Sequence, residues 1–160
     1  MLLGVVSDSH GHVGNTRQAV RMLQSLDVAA VIHCGDIGTP EIVELFAPWP
    51  TRFVFGNCDD ARAELAAAIE RAGQTCAGVF DAFELGQRRI AFTHSDDRRL
   101  WLDAVRSGAH ELVCYGHTHA AEWHDEGPTR VLNPGALYRA NPRSLAVVDL
   151  TTLTPTIVPL

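Results

Sequence analysis

Residues 2–11 of the chain read LLGVVSDSHG, a short apolar run that leads directly into a polar turn carrying Asp8 and His10. The run at residues 3–6 is too short for a helix and has the valine-rich composition of a buried strand. Apolar side chains then recur at helical spacing, and we expect Asn15 to cap the resulting helix. This stretch therefore predicts a strand, a polar loop and a helix, in that order.

The same order of elements recurs through the first half of the chain. Residues 29–32 and 53–55 are apolar runs of strand length, and each precedes a segment with a helical pattern. We expect Thr39 to cap a short helix and Gly73 to end a longer one over residues 60–72. Strands that alternate with helices in this way form a largely parallel sheet whose faces are covered.

The second half of the chain has a different pattern, which predicts a second sheet. Two strand-like runs meet at Gly86 and Gln87, a pair typical of a tight hairpin turn. One more helix is expected at residues 98–107. Strands are expected at residues 79–85, 89–93, 112–115 and 145–150, and near Trp123 and Val131. No repeat or linker divides the sequence, so we expect one α/β domain over residues 1–160.

Five of the predicted strands end in residue types that bind metal ions. The carboxyl ends of strands in open α/β sheets form one crevice, so side chains distant in sequence can meet there. The candidates are Asp8, His10, Asp36, Asn57, His94, His117 and His119. Each short motif alone is also explained by an ordinary polar turn. Five such motifs at one sheet edge favour a shared metal site.

The number and chemistry of these candidates indicate a pair of metal ions. A tetrahedral zinc site uses four ligands, fewer than the candidates available here. Two neighbouring cations repel each other and need an anionic bridge, and Asp36 lies centrally in the chain order. Oxygen and imidazole ligands without thiolate suit two divalent ions: Mn²⁺ as the first expectation, or Fe²⁺, Ni²⁺, Co²⁺ or Zn²⁺.

The charge balance excludes several classes of protein. All 13 basic residues are arginine, and the net charge is −6. The absence of lysine removes mechanisms that require one, such as the P-loop and Schiff-base catalysis. An acidic chain is not expected to form a stable nucleic-acid complex. An anionic substrate would therefore have to be attracted by something other than basic side chains, such as bound metal ions.

The remaining composition favours a globular protein outside the membrane. No apolar stretch is long enough to cross a bilayer, and the amino terminus lacks the basic residues of a signal peptide. We expect a cytoplasmic location. The four cysteines form no C-x-x-C pair, so we expect four buried free thiols rather than disulfides or a zinc ribbon.

The motifs together resemble those of the calcineurin-like metallophosphoesterases, and within them the small YfcE-like phosphodiesterases. The matching blocks occur in the family's order: Asp8-Ser9-His10-Gly11, Gly35-Asp36, Gly56-Asn57-Cys58-Asp59, Thr93-His94, Gly116-His117-Thr118-His119 and Asn133-Pro134-Gly135. The resemblance implies a four-layer α-β-β-α sandwich of two mixed sheets. It also implies two ligand sets: Asp8, His10, Asp36 and His119 for one ion, and Asp36, Asn57, His94 and His117 for the other.

The same resemblance implies a binuclear, metal-dependent phosphoesterase, with phosphodiesters favoured as substrates. In that mechanism a hydroxide that bridges both metal ions attacks phosphorus in line with the leaving group. The alternatives are a phosphomonoesterase on the same site, a mononuclear hydrolase and a non-catalytic interaction scaffold on the same fold.

Position 58 departs from the family pattern. Many relatives carry a histidine there that protonates the leaving group, whereas this chain has Cys58, a poor acid near neutral pH. His12 is the nearest candidate for a replacement proton donor, with a solvated or capping position as the alternative. We expect Asp59 to orient a ligand or water or to cap the following helix. Arg139 and Arg143 lie near the Asn-Pro-Gly block, where a phosphate contact and an ordinary surface position both remain open.

Overall fold

The computed structural model describes all 160 residues and contains four helices and eleven strands. The helices are α1 (Val13–Ser25), α2 (Pro40–Leu45), α3 (Arg62–Arg71) and α4 (Arg98–Arg106). The strands are β1 (Leu2–Val6), β2 (Ala30–His33), β3 (Thr51–Phe53), β4 (Thr75–Cys76), β5 (Phe80–Leu85), β6 (Arg88–Thr93), β7 (Leu112–Cys114), β8 (Glu122–Glu126), β9 (Thr129–Asn133), β10 (Ser144–Asp149) and β11 (Thr154–Pro159).

The strands form two mixed sheets. The first has the order β11-β10-β1-β2-β3-β4, in which β1 to β4 are parallel and β10 is antiparallel to both of its neighbours. The second has the order β5-β6-β7-β9-β8, with β6, β7 and β9 parallel and an antiparallel strand at each edge. Within each sheet the parallel strands therefore end along a common edge.

Three groups of buried apolar side chains lie between the layers. Helices α1, α2 and α3 pack on the outer face of the first sheet in a group of 19 buried residues, and 13 more lie between the sheets. A third group of 6 lies between the second sheet and α4. The predicted four-layer α-β-β-α sandwich is confirmed. None of the helices combines the length and apolar composition needed to cross a membrane.

Strand β1 shows how the sequence specifies the two faces of the first sheet. Leu3 and Val5 point into the core between the sheets. On the opposite face, a Cβ at Gly4 would lie only 2.8 Å from Leu23 of α1. The absence of a side chain at Gly4 therefore lets α1 approach the strand closely.

The predicted hairpin is confirmed. Strands β5 and β6 pair with Leu85 opposite Arg88, which leaves Gly86 and Gln87 as a two-residue turn. Both turn residues have positive φ, 57° and 64°, as a type I′ turn requires.

The predicted helix starts are wrong at two places. The N-cap of α1 is His12 and not Asn15: His12 Nδ1 accepts the backbone N–H of Asn15. The Asn15 side chain instead donates to the Leu137 carbonyl oxygen, 2.8 Å away. Helix α3 begins at Arg62 rather than at residue 60 because the chain first turns through residues 56–60.

Three strands differ from the prediction. Strand β3 ends at Phe53, which pairs with His33, and the chain then leaves the ladder, so residues 54 and 55 are not part of it. The two-residue β4 is too short to produce an alternating pattern. Strand β11 was missed because it contains Pro155 and Pro159, and proline inside a strand is tolerated mainly at a sheet edge, where β11 lies.

The cysteines are all free, as predicted, but they are not all buried. Cys34 and Cys114 lie in the core, whereas Cys76 is half-buried and Cys58 is exposed. Cys58 differs because it lies in the loop after β3 and not in a strand, so the expectation of four buried thiols is wrong there.

His33 is buried at the end of β2 between two aromatic rings. Its imidazole stacks on Phe53 at a centroid distance of 5.7 Å and meets Phe46 edge-on at 5.8 Å. Nε2 lies 2.8 Å from the Ser9 hydroxyl, while Nδ1 has no hydrogen-bond partner. A second ring proton would therefore be buried without an acceptor, and burial lowers the pKa of His33 from 6.5 to about 4.

We predict that His33 makes the fold sensitive to mild acid. The unfolded chain binds a proton at pH 6.5 that the folded chain accepts only near pH 4, so stability falls as the pH decreases through this window. Across the whole window, His33 lowers the free energy of unfolding by about 3 kcal/mol. Chemical denaturation of metal-free protein across the window should show a shallower pH dependence for His33→Leu than for the wild type. Equal slopes would contradict this role of the buried imidazole.

Candidate metal centre

Side chains that follow four strands meet at one edge of the sandwich. Around Asp8 Oδ1 lie His119 Nε2 at 3.0 Å, His10 Nε2 at 3.7 Å and His94 Nε2 at 3.9 Å. Around Asp36 Oδ2 lie His94 Nε2 at 3.2 Å and His10 Nε2 at 3.6 Å. Five of the seven predicted ligands are thus in direct proximity, and we call these five residues the carboxylate–imidazole cluster.

The facing atoms of the cluster do not satisfy one another by hydrogen bonding. Asp8 Oδ1, His10 Nε2 and His94 Nε2 are buried and have no hydrogen-bond partner. Unsatisfied buried polar atoms are costly unless a ligand contacts them. Two ligand atoms bound about 2.1 Å from one divalent ion lie roughly 3 Å apart, close to the separations in the cluster. The donor set therefore fits divalent metal ions.

The other two predicted ligands border the cluster. The His117 ring stands edge-on to His94 at a centroid distance of 5.1 Å, and its backbone N–H donates to Asp8 Oδ2. Asn57 is exposed in the loop after β3, with its side-chain nitrogen 3.4 Å from Cys58 Sγ. Neither side chain forms an ion pair or a hydrogen bond with the two carboxylates of the cluster.

The backbone at the site adopts a conformation that residues other than glycine avoid. Left-handed φ values between 46° and 71° occur at five predicted ligands: Asp8, His10, Asp36, His117 and His119. Each such residue costs roughly 1–2 kcal/mol. Strain of this kind persists where the surrounding structure enforces it and is common at functional sites. Here it occurs at the residues whose side chains turn from the strand ends into the site.

Asp59 ties two of the ligand-bearing loops together. It is 2% exposed, and its two carboxylate oxygens accept the backbone N–H groups of Gly38 and Gly56 at 2.9 Å and 2.8 Å. The N-cap of α3 is Ala61, so the expectation that Asp59 caps this helix is wrong. In the same loop, the N–H of Cys58 donates to Asp36 Oδ1 at 2.8 Å. These bonds fix the Asp36 carboxylate relative to the loop that carries Asn57.

Two imidazoles of the cluster are anchored through their second ring nitrogen. His94 Nδ1 lies 2.8 Å from the Cys34 carbonyl oxygen, and His119 Nδ1 lies 3.2 Å from that of Arg139. A carbonyl oxygen accepts only from a protonated nitrogen, so Nδ1 carries hydrogen in both rings. In the neutral imidazole Nε2 then presents a lone pair, which is the tautomer that a metal ligand requires.

A lone pair that faces a carboxylate oxygen needs a proton or a cation between them. The Asp8 carboxylate raises the pKa of His10, and burial opposes this only in part. Burial lowers the pKa of His94, but Asp36 and Asp8 raise it more. Burial likewise raises the pKa values of both aspartates, yet the neighbouring imidazoles lower them overall. The two carboxylates thus favour a positive charge on the imidazoles, and divalent ions would compete with protons for the same nitrogens.

His12 lies outside the cluster. It is exposed, and its ring stacks on Tyr138 at a centroid distance of 5.0 Å. Tyr138 also faces the ring of His10 at 6.1 Å. The role of His12 as a proton donor therefore stays a prediction, whereas the alternative of a capping position is confirmed by its N-cap contact with α1.

Cys58 and Asn133 also lie at the site, although the sequence predicted no function for either. Cys58 Sγ and one donor atom each of His10 and Asp36 lie within 4.8 Å of one another. The side chain of Asn133 donates to the Gly116 carbonyl oxygen at 3.1 Å and to the Thr118 hydroxyl at 3.0 Å. Asn133 thereby holds the loop that carries His117 and His119. In the sequence, the Asn-Pro-Gly block is the signal that could have identified Asn133 as a site residue.

The sandwich fold and the carboxylate–imidazole cluster together define a candidate metalloenzyme. The calcineurin-like phosphoesterase superfamily domain matches residues 1–153, and the chain belongs to this superfamily. The resemblance inferred from the sequence motifs is confirmed, and with it the expectation of a metal-dependent phosphoesterase.

Individual relatives agree with this placement. Phosphodiesterase MJ0936 of Methanocaldococcus jannaschii is 29% identical over 140 residues, which cover 84% of this chain and 83% of the relative. The structure of an archaeal phosphodiesterase matches with a TM-score of 0.92 at 25% identity and covers 100% of both chains. The E. coli phosphoesterase YfcE matches with a TM-score of 0.73 at 19% identity, over 99% of this chain and 98% of its own, and shares the fold.

We predict that Gly56→Ala damages the metal centre. A Cβ at Gly56 would overlap Asp36 Oδ1 and lie 2.6 Å from the Asp36 backbone nitrogen. The displaced carboxylate should lower the affinity for Mn²⁺ by about tenfold or more, measured by titration calorimetry. Gly14→Ala in helix α1 is the matched control, since its Cβ would meet His12 at an ordinary 3.6 Å. Equal Mn²⁺ affinities in the two variants would refute this explanation of Gly56.

Proposed function

We propose that this protein hydrolyses phosphodiesters at a centre of two divalent metal ions, with Mn²⁺ as the first candidate. The observation that carries the proposal is a pair of buried carboxylates, Asp8 and Asp36, that face imidazole nitrogens, two of which have no hydrogen-bond partner. The two relatives named as phosphodiesterases support this class of substrate.

The ligand assignment follows the two sets that the family resemblance implies. For one ion we assign Asp8, His10, Asp36 and His119, and the contacts of Asp8 with both histidines support this set. For the other ion we assign Asp36, Asn57, His94 and His117. The contact of Asp36 with His94, and of His94 with the ring of His117, supports the second set. Asp36 is common to both and is the proposed bridge.

The metal ions, when bound, would polarise the phosphoryl oxygens and make water a stronger nucleophile near neutral pH. The residues of the chain provide the charge balance and the orientation. The two carboxylates offset only half of the charge of two divalent ions, so the loaded site stays positive and attracts an anionic ester. The bonds of Asp59 and Asn133 to the loop backbones position the ligands, and we assign Asp59 to this positioning role.

The preference for phosphodiesters rests on the proton supply at position 58. Cys58 is exposed, and partial burial together with the charge of Asp36 raises the pKa of its thiol. A thiol of raised pKa is a weak proton donor near neutral pH. Esters with good leaving groups need little protonation and are therefore the proposed substrates. For esters whose leaving groups must be protonated, His12 is the proposed proton donor.

A non-catalytic interaction scaffold is the second candidate function. A scaffold without metal gains nothing from buried polar atoms that lack partners, so the unsatisfied oxygen and nitrogen atoms of the cluster favour an enzyme. Phosphomonoester hydrolysis at the same centre is the alternative activity. The cytoplasmic location and the absence of a stable nucleic-acid complex stay predictions from the sequence.

We predict that turnover of bis(p-nitrophenyl) phosphate depends on metal. Chelation followed by dialysis should abolish it, and added Mn²⁺ should restore it with two ions per chain by elemental analysis. His117→Ala should lose most Mn²⁺-dependent turnover, because its ring belongs to one ligand set. His124→Ala in the exposed strand β8 is the control and should retain it.

Several results would contradict the proposal in distinct ways. Turnover that survives chelation would exclude a metal mechanism, and full activity with one ion per chain would favour a mononuclear hydrolase. Absence of turnover with every metal and every phosphate ester would favour the scaffold. Faster turnover of p-nitrophenyl phosphate than of the diester would favour the monoesterase.

We predict that His12→Asn separates substrates by their leaving groups. Asparagine keeps the N-cap acceptor but has no proton to donate as an acid. Turnover of bis(p-nitrophenyl) phosphate should change little, while that of a diester with an alkyl leaving group should fall about a hundredfold. The ratio of the two kcat values is the measurement. An unchanged ratio would show that His12 is not the proton donor.

A further inference from the structure

Arg139 belongs to the same backbone network as the candidate ligands. The N–H of the preceding residue, Tyr138, donates to the Asp8 carbonyl oxygen at 3.1 Å. The carbonyl oxygen of Arg139 accepts from His119 Nδ1 at 3.2 Å, and its φ is 54°, the left-handed conformation seen at the ligands. The position of Arg139 is therefore fixed by the contacts that also fix the carboxylate–imidazole cluster.

The guanidinium of Arg139 has no partner within the protein. It is exposed, with no carboxylate oxygen within 4.0 Å and no hydrogen-bond acceptor. Two other arginines near the site form hydrogen bonds within the protein: Arg62 donates to the Gly56 carbonyl oxygen at 3.2 Å, and Arg143 donates to Gln18 Oε1 at 3.4 Å. Of these three arginines, only Arg139 has all its donors available to a ligand.

An aromatic contact holds this guanidinium beside the cluster. Arg139 Cζ lies 5.3 Å from the centroid of the Tyr138 ring, and that ring contacts both His10 and His12. A guanidinium over an aromatic face is restrained by cation–π attraction. The Arg139 carbonyl oxygen also binds the imidazole of His119, so the residue that carries this guanidinium adjoins the cluster.

We propose that Arg139 is a substrate-binding residue that donates to the phosphate oxygens of the ester, with Tyr138 as its positioning residue. This inference rests on the proposed function, since it requires a phosphate ester at the cluster. The planar guanidinium presents paired N–H groups that match two phosphate oxygens. A phosphodiester already carries negative charge on its two non-bridging oxygens when it binds, so the contact forms with the bound ester and contributes chiefly to affinity.

The test compares Arg139→Gln with Arg143→Gln in Mn²⁺-loaded protein. Arg139→Gln should raise the KM for bis(p-nitrophenyl) phosphate by roughly ten- to hundredfold, with a smaller effect on kcat. The Kd for inorganic phosphate, measured by titration calorimetry, should rise by a similar factor. The Mn²⁺ content should not change, because the backbone carbonyl that holds His119 is retained. Arg139→Lys should recover part of the affinity, and Arg143→Gln should behave as the wild type.

The role of Tyr138 is tested with a matched pair of variants. Tyr138→Phe keeps the ring face under the guanidinium and should leave KM unchanged, whereas Tyr138→Leu should raise it. Equal KM values for the two variants would remove the positioning role.

The failure of this inference is distinguishable from failure of the proposed function. An active wild type whose KM and phosphate Kd are unaffected by Arg139→Gln would overturn the inference alone. Loss of Mn²⁺ in Arg139→Gln would show that the side chain supports the metal centre rather than the substrate. A wild type that neither turns over esters nor binds phosphate would remove both proposals.

Discussion

Two buried carboxylates and three imidazoles face each other at the edge of this fold, and they need positive charge between them. Asp8 and Asp36 lie within 4 Å of the Nε2 atoms of His10 and His94, yet these buried nitrogens have no hydrogen-bond partner. Protons satisfy the arrangement incompletely, whereas divalent ions suit its distances and its donor types. The folded chain therefore holds an arrangement of charges that metal ions complete.

Bringing these groups together costs the fold conformational free energy in the backbone. Parallel strands in two sheets end along one edge, and the residues after them adopt left-handed backbone conformations that are unfavourable for non-glycine side chains. Gly56 gives the Asp36 carboxylate the room it occupies, and Asp59 connects the loops on either side. The extensive buried core supplies the stability that such local strain requires.

Much of the fold and of the cluster could be predicted because the signals are local and repeated. The apolar runs before Asp8 and Asp36 predict strands, and the carboxyl ends of such strands define one edge, so the cluster follows from chain order. The contacts that the sequence did not reveal are tertiary. Asp59 binds backbone in two loops, and the Tyr138 ring lies against His10, and neither contact has a periodic signal. Strand β11 was missed for a related reason: its position at a sheet edge, not its sequence, makes proline acceptable.

The central claim is that Asp36 stands between two metal ions held by this cluster. Anomalous diffraction from crystals of the Mn²⁺-loaded protein, collected on both sides of the manganese absorption edge, tests it most directly. We expect two anomalous peaks, one on each side of the Asp36 carboxylate, with His119 beside one and His94 beside the other. A single peak, or peaks remote from Asp36, would contradict it.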